Sequence, residues 1–134
     1  MTELKKICYV EDEVDIQKIA RICLEKYGGY EVDIFSNADE ALEKMEASTP
    51  DLILLDIMLP GMDGLELYAK LREIESLKKT PVVFLTAKVS YLDEPIDLYE
   101  LGAVGVLGKP FDPEALTQSI DDIWSNYVEN YRTA

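Results

Sequence analysis

The sequence contains no histidine. That excludes imidazole metal ligands and histidine-based acid–base catalysis. Cysteine occurs twice, as Cys8 and Cys23, each inside an apolar stretch. Such a pair reads as two reduced core thiols rather than a disulfide framework or a metal pair. No apolar run approaches the roughly 20 residues that a membrane-spanning helix needs, so no membrane insertion is expected. The opening Met1-Thr2-Glu3-Leu4-Lys5-Lys6 leads straight into a strand, without the longer apolar stretch of a secretory signal, so a cytoplasmic protein is expected. Basic residues are few: 13 Lys and Arg stand against 27 Asp and Glu, for a net charge of −14. A nucleic-acid binder needs a basic stripe against the phosphates, and none is present, so direct nucleic-acid contact is not expected. Excess acid of this kind reads as a solvated surface or, where carboxylates converge, as a cation site.

What is present is alternation of strands and helices. The 134 residues suit one domain, and the pattern fills them. At the centre lies Asp51-Leu52-Ile53-Leu54-Leu55-Asp56-Ile57-Met58-Leu59-Pro60-Gly61-Met62-Asp63-Gly64. Four consecutive apolar residues between a Pro-Asp turn and a Pro-Gly turn predict a strand covered on both faces. A first strand is predicted over 4–10, then a helix over about 14–27 with Ile16, Ile19, Ala20, Cys23, Leu24 and Tyr27 inward, closed by Gly28-Gly29. A second strand over 30–35 leads to a helix over about 38–47, capped by Ser36 or Asn37, with Leu42 and Met45 inward. A third helix starts near Asp63-Gly64 and carries Leu67, Leu71 and Ile74 on one face. A fourth strand over 82–85 ends at Thr86. The polar stretch 87–94 follows, and a helix over about 95–101 begins at Pro95. A fifth strand over 104–107 ends at Gly108-Lys109-Pro110. The fifth helix is capped by Asp112, begins at Pro113, and buries Leu116, Ile120, Ile123 and Tyr127, with Trp124, Val128 and Tyr131 on its flank.

Five strand–helix pairs imply a parallel sheet with helices on both faces. Right-handed crossovers reduce this to a flavodoxin-like doubly wound α/β domain, strand order 2-1-3-4-5. Ligands in such sheets bind outside the carboxyl ends of the strands. Those ends carry Glu11 and Asp12, Asp56, Thr86 and Lys109. Singly, each has a plain structural reading: first-turn acids favoured by the helix dipole, a β-branched strand residue, a turn lysine. Together, three carboxylates repel one another, and a hard divalent cation such as Mg²⁺ relieves the repulsion. A lysine and a hydroxyl beside them suit phosphoryl oxygens. Asp is a known phosphoryl acceptor, and the set reads as a phosphoryl-transfer site.

Four motifs carry a resemblance over essentially the whole chain. They are Tyr9-Val10-Glu11-Asp12-Glu13, Leu54-Leu55-Asp56-Ile57-Met58-Leu59-Pro60-Gly61-Met62-Asp63-Gly64, Leu85-Thr86-Ala87-Lys88 and Gly108-Lys109-Pro110-Phe111. The sequence resembles the receiver domains of bacterial two-component response regulators, of the stand-alone, chemotaxis-regulator-like kind. The resemblance implies Asp56 as phospho-acceptor, and Mg²⁺ at Glu11, Asp12, Asp56 and the backbone carbonyl of Met58. It implies Thr86 and Lys109 on the phosphoryl oxygens. The implied partners are a sensor histidine kinase or histidine phosphotransfer protein, a downstream protein target, and a second copy through helices 4 and 5. One receiver domain without an output domain is expected, catalysing its own phosphorylation and dephosphorylation, with output by protein contact or phosphorelay. Two positions depart from the family pattern. Glu11 stands where Asp is common, and Val106 stands where strand 5 usually carries an aromatic switch residue. Coupling is therefore expected through 87–94, which contains Tyr91, with Val106 keeping one rotamer. Two rivals remain: a pseudo-receiver that only binds partners, and an Asp-nucleophile phosphatase. The latter would want a second Asp at position 58, where this chain has Met.

Overall fold

In the computed structural model, which describes residues 3–87 and 97–132, five apolar segments form one parallel sheet. The strands are β1 (Lys6–Val10), β2 (Glu31–Phe35), β3 (Leu52–Asp56), β4 (Val82–Thr86) and β5 (Gly105–Gly108), ordered β2-β1-β3-β4-β5 as expected. The helices are α1 (Val14–Arg21), α2 (Ala38–Ser48), α3 (Gly64–Leu71), α4 (Leu98–Leu101) and α5 (Pro113–Tyr127). Strands β3 and β4 are buried at every residue, which is why they read as unbroken apolar runs.

The two-residue period of the strands sorts the core into two layers. Cys8, Val10, Ile53, Leu55, Val82 and Phe84 face α2 and α3, meeting Ala41, Met45, Leu67 and Leu71. Ile7, Tyr9, Leu52, Leu54, Val83 and Leu85 face α1 and α5, meeting Ala20, Leu24, Leu116 and Ile120. Cys8 lies in the first layer and Cys23 in the second, both as free thiols, so the sheet separates them. Asn37 rather than Ser36 caps α2, its Oδ1 accepting the Glu40 N–H at 2.8 Å. Asp63, Asp97 and Asp112 cap α3, α4 and α5 in the same way.

Three helices differ from the sequence expectation. α1 keeps α geometry only to Arg21, and Ile22–Tyr27 continue as a π-helix, with the Gly28 N–H on Cys23 O at 3.1 Å. The wider π turn slows the angular advance per residue. Cys23 and Leu24 therefore stay buried while Tyr27 swings out to 74% exposure, and Ile19 also faces solvent. α3 ends at Leu71, and Ile74 packs on the core from the turn beyond. On α5 the buried ladder is Leu116, Ile120 and Trp124, an i, i+4 row, while Ile123 and Tyr127 are only partly buried. The indole has the larger apolar surface to bury, and Tyr127 stacks against it with ring centroids 5.4 Å apart. The predicted Pro95 start of helix 4, Lys88, Tyr91 and the stretch 88–94 lie outside the described residues, as does the side chain of Tyr131. Val106 pairs with Phe84 in register and is partly buried against the first layer.

Candidate functional site

The parallel strands bring their carboxyl ends to one edge, and the switch point of the strand order falls there between β1 and β3. Glu11 follows β1, its N–H on Phe35 O at 3.0 Å. Asp56 is the last residue of β3 and Thr86 the last of β4. Lys109 follows β5, its N–H on Thr86 O at 2.9 Å. Gly64 completes the frame: its N–H donates to Ile57 O at 3.0 Å, and a Cβ there would collide with the Asp56 carbonyl. Only glycine lets α3 begin so close to the end of β3.

Lys109 stands between two carboxylates. Its Nζ lies 2.6 Å from Asp56 Oδ2 and 2.9 Å from Glu11 Oε1, the short distances of charge-assisted bonds. Asp56 Oδ1 accepts the Met58 N–H at 3.0 Å. Glu11 is fully buried; its Oε1 also accepts the Tyr9 hydroxyl at 2.9 Å, and its Oε2 accepts the Glu13 N–H at 3.1 Å. Asp12 is half-buried, and one oxygen from each of Glu11, Asp12 and Asp56 lies within 4.8 Å of the others. A cleft of about 320 Å³ opens over the group, lined by Asp12, Asp56, Met58, Ala87 and Lys109 among others.

Burial raises the Asp56 pKa against the opposing pull of Lys109. Burial also pulls Lys109 down, but its bonds to Asp56 and Glu11 outweigh that and hold it above the ordinary lysine value. The two directions oppose each other on one contact. The geometry favours an ion pair, because both Asp56 oxygens accept hydrogen bonds. Three carboxylates against one ammonium leave two negative charges, the complement of a divalent cation. Oxygen-only donors suit a hard ion such as Mg²⁺. The residues present therefore fit that metal.

Of the residues expected from the sequence, Glu11, Asp56 and Lys109 are joined directly, and Asp12 completes the carboxylate group. The Met58 side chain is exposed, and its backbone N–H touches Asp56. Thr86 is buried at the same edge, and among the described residues its hydroxyl makes no bond to Asp56 or Lys109. Two contributors were not anticipated. Tyr9 reads as one more apolar strand residue, although strand alternation places it on the same side as Glu11. Gln17 donates from Nε2 to the Glu11 carbonyl and, at 3.1 Å, to Ser36 Oγ; nothing in its sequence setting points to this.

A doubly wound sheet that gathers three carboxylates and a lysine at its switch-point edge defines an acidic-site class within the flavodoxin-like folds. The family model "Response regulator receiver domain" matches residues 7–121, and the chain belongs to that family. It is 40% identical over 119 residues to the alkaline phosphatase synthesis transcriptional regulatory protein PhoP of Bacillus subtilis (strain 168), covering 89% of this chain and 48% of the relative. It is 37% identical over 116 residues to the response regulator Rre1 of a Synechocystis strain, covering 87% and 50%. The chain thus spans about half the length of these curated relatives. Among solved structures it is similar to the chemotaxis protein CheY4 of Vibrio cholerae, with TM-score 0.77 and 31% identity, over 90% of this chain and 99% of that one. It is also similar to the response regulator protein TrrA of Thermotoga maritima in complex with Mg(2+)-BeF, with TM-score 0.73 and 32% identity, over 90% and 99%. Membership supports phosphoryl acceptance in two-component signalling and an acidic Mg²⁺ pocket.

Proposed function

We propose that this chain acts as a response-regulator receiver domain that accepts a phosphoryl group on Asp56 from the phosphohistidine of a sensor histidine kinase or a histidine phosphotransfer protein. The observation that carries the reading is Lys109 Nζ at 2.6 Å from Asp56 Oδ2, on the wall of an open cleft where Glu11 and Asp12 add their charge. An Asp56 carboxylate oxygen attacks phosphorus in line. The N–P bond breaks, the imidazole keeps the electron pair, and an aspartyl phosphate forms. Lys109 exchanges one Asp56 oxygen for a phosphoryl oxygen, and the Thr86 hydroxyl donates to another. Water then attacks phosphorus and returns the carboxylate and inorganic phosphate, so the domain catalyses both its own loading and its own reset. Asp12, Asp56 and the Met58 carbonyl would hold Mg²⁺, with Glu11 completing the set through a bound water. When bound, the metal neutralises charge on the phosphoryl oxygens.

A cytoplasmic site of action belongs to the same reading, and exposed apolar side chains support protein partners. Val14, Ile19 and Ile22 are exposed along the first helix, beginning three residues after Glu11, and a docking partner there would cover them. Tyr99 and Leu101 are exposed on α4 and support the downstream target or second copy expected at α4 and α5. Trp124 is part of the core rather than of that surface. The test is intact-mass analysis after acetyl phosphate and Mg²⁺. One phosphoryl mass is expected on the wild type and none on Asp56→Asn or in excess chelator. An equal adduct on Asp56→Asn would overturn the assignment.

A further inference from the structure

The corner between β2 and α2 lends no side chain to the cleft, yet it holds the backbone of the acidic loop after β1. Phe35 O accepts the Glu11 N–H at 3.0 Å. One residue further on, Ser36 Oγ accepts from Gln17 Nε2 at 3.1 Å, and the same amide donates to the Glu11 carbonyl. The Gln17 amide has two N–H donors, one for each of these acceptors. Both main-chain polar groups of Glu11 are therefore tied to the corner, one directly and one through Gln17. Gln17 is itself anchored in the first turn of α1, its backbone N–H on Glu13 O at 3.0 Å. The Glu11 carbonyl and the Asp12 N–H share one planar peptide. Fixing that carbonyl fixes the plane from which the chain enters Asp12, and Asp12 lines the cleft beside Asp56.

We infer that Gln17 is a positioning residue for the metal site: its amide, braced by Ser36, locks the Glu11–Asp12 peptide and so holds the Asp12 carboxylate in the orientation a small octahedral ion needs. The inference rests on the Mg²⁺ reading proposed above and goes beyond it by naming what makes the site selective. Mg²⁺ demands near-ideal octahedral geometry at short bond lengths, whereas Ca²⁺ accepts longer bonds and irregular shells. A fixed Asp12 therefore favours the smaller ion. A loosened Asp12 keeps its charge and gives up that preference. Groups outside the ligand set tune a metal in this way by orienting the ligands themselves. Ser36 thus bears on the choice of ion without lining the cleft.

The experiment is calorimetric titration of Mg²⁺ and, separately, of Ca²⁺ into the wild type, Gln17→Met, Ser36→Ala and the double variant, with thermal unfolding of each in chelator. Methionine keeps the length and helix propensity of glutamine and removes both donors. Gln17→Met should bind Mg²⁺ about tenfold more weakly and Ca²⁺ at most about twofold more weakly. Ser36→Ala should lower the ratio of Mg²⁺ to Ca²⁺ affinity by about two- to threefold. Added to Gln17→Met it should change nothing further, since both act through one amide. A merely structural role for Gln17 would lower the melting temperature and leave that ratio at its wild-type value. An unchanged ratio in Gln17→Met overturns the inference, whether the two affinities hold or fall together. Should that variant not fold, an unchanged ratio in Ser36→Ala overturns it equally. A wild type that takes up no Mg²⁺ overturns the metal reading, and this inference with it; a wild type that binds Mg²⁺ with the same ion preference as Gln17→Met overturns this inference alone.

Discussion

Lys109 and Lys6 each stand between two carboxylates, one at the carboxyl edge of the sheet and one at its amino edge. Lys109 reaches Asp56 and Glu11 at 2.6 and 2.9 Å. Lys6 reaches Asp33 and Glu31 at 3.0 and 3.1 Å. The chemistry is the same and the surroundings differ. The Asp56 and Glu11 side chains are 2% and 0% exposed, against 41% and 75% for Asp33 and Glu31. At the amino edge water solvates the carboxylates almost as well as the lysine does, so the bridge adds little. At the carboxyl edge both carboxylates are buried, and removing one partner strands a buried charge. A compact pair is thus a surface ornament at one end of the sheet and a poised, costly arrangement at the other, where ligand binding can change its partners.

Removing each lysine should separate the two ends most sharply. Lys109→Ala, unfolded with urea in the absence of metal, should lose about 3 kcal/mol or more. Added Mg²⁺ should return part of that, since a ligand bound only by the folded state stabilises it. Lys6→Ala should lose about 0–1 kcal/mol. Equal losses for the two variants would erase the contrast.

Ionic strength gives a smaller separation. Raising salt to about 1 M shortens the screening length to about 3 Å. The small cost of Lys6→Ala should then vanish, while the cost of Lys109→Ala should persist because buried pairs are screened far less. Parallel decline of both would place the Lys109 site in solvent-like surroundings.

The smallest effect lies in acid. The Ser48 hydroxyl, 2.6 Å from Asp33 Oδ2, and then Lys6 hold the Asp33 pKa below the usual carboxylate value. A depressed folded pKa adds stability above the unfolded carboxyl value, about 3.9, and that stability is lost as pH falls through the folded value. Ser48→Ala should therefore flatten the stability profile below about pH 4 and leave its shape near neutrality unchanged. Solvent at Asp33 keeps the change modest. An acid limb as steep as in the wild type would show that Asp33 gains nothing from this contact.

The elements that were legible in the sequence are those whose signal is local. Leu52 to Leu55 between turn residues announced a covered strand, and the structure buries each of them. Asp63 and Asp112 announced helix starts, and both accept N–H groups of the first turn. The convergence of Glu11, Asp12, Asp56 and Lys109 was legible once strand order was, because parallel connections leave their ends on one edge. Helical faces were less legible. A 100° wheel put Tyr27 inside, where the structure leaves it exposed, and set Trp124 beside the buried stripe, where the structure makes it part of the core. A π turn shifts phase without any residue-type signature here, and which α5 row is buried depends on the height of the sheet beneath it.

The sequence by itself therefore determined the order of strands and helices, the Asp63 and Asp112 helix starts, and the set of charged groups gathered at one edge, since period, turn chemistry and chain order are properties of neighbours along the chain. Tertiary structure alone decided which carboxylate faces the cleft and which is withdrawn to Lys109 and Tyr9. That choice rests on contacts between Lys109 and Glu11 that lie 98 residues apart, and on burial that turns a surface-type bridge into a desolvated one. Burial is set by the packing of the whole fold, and no local pattern records it.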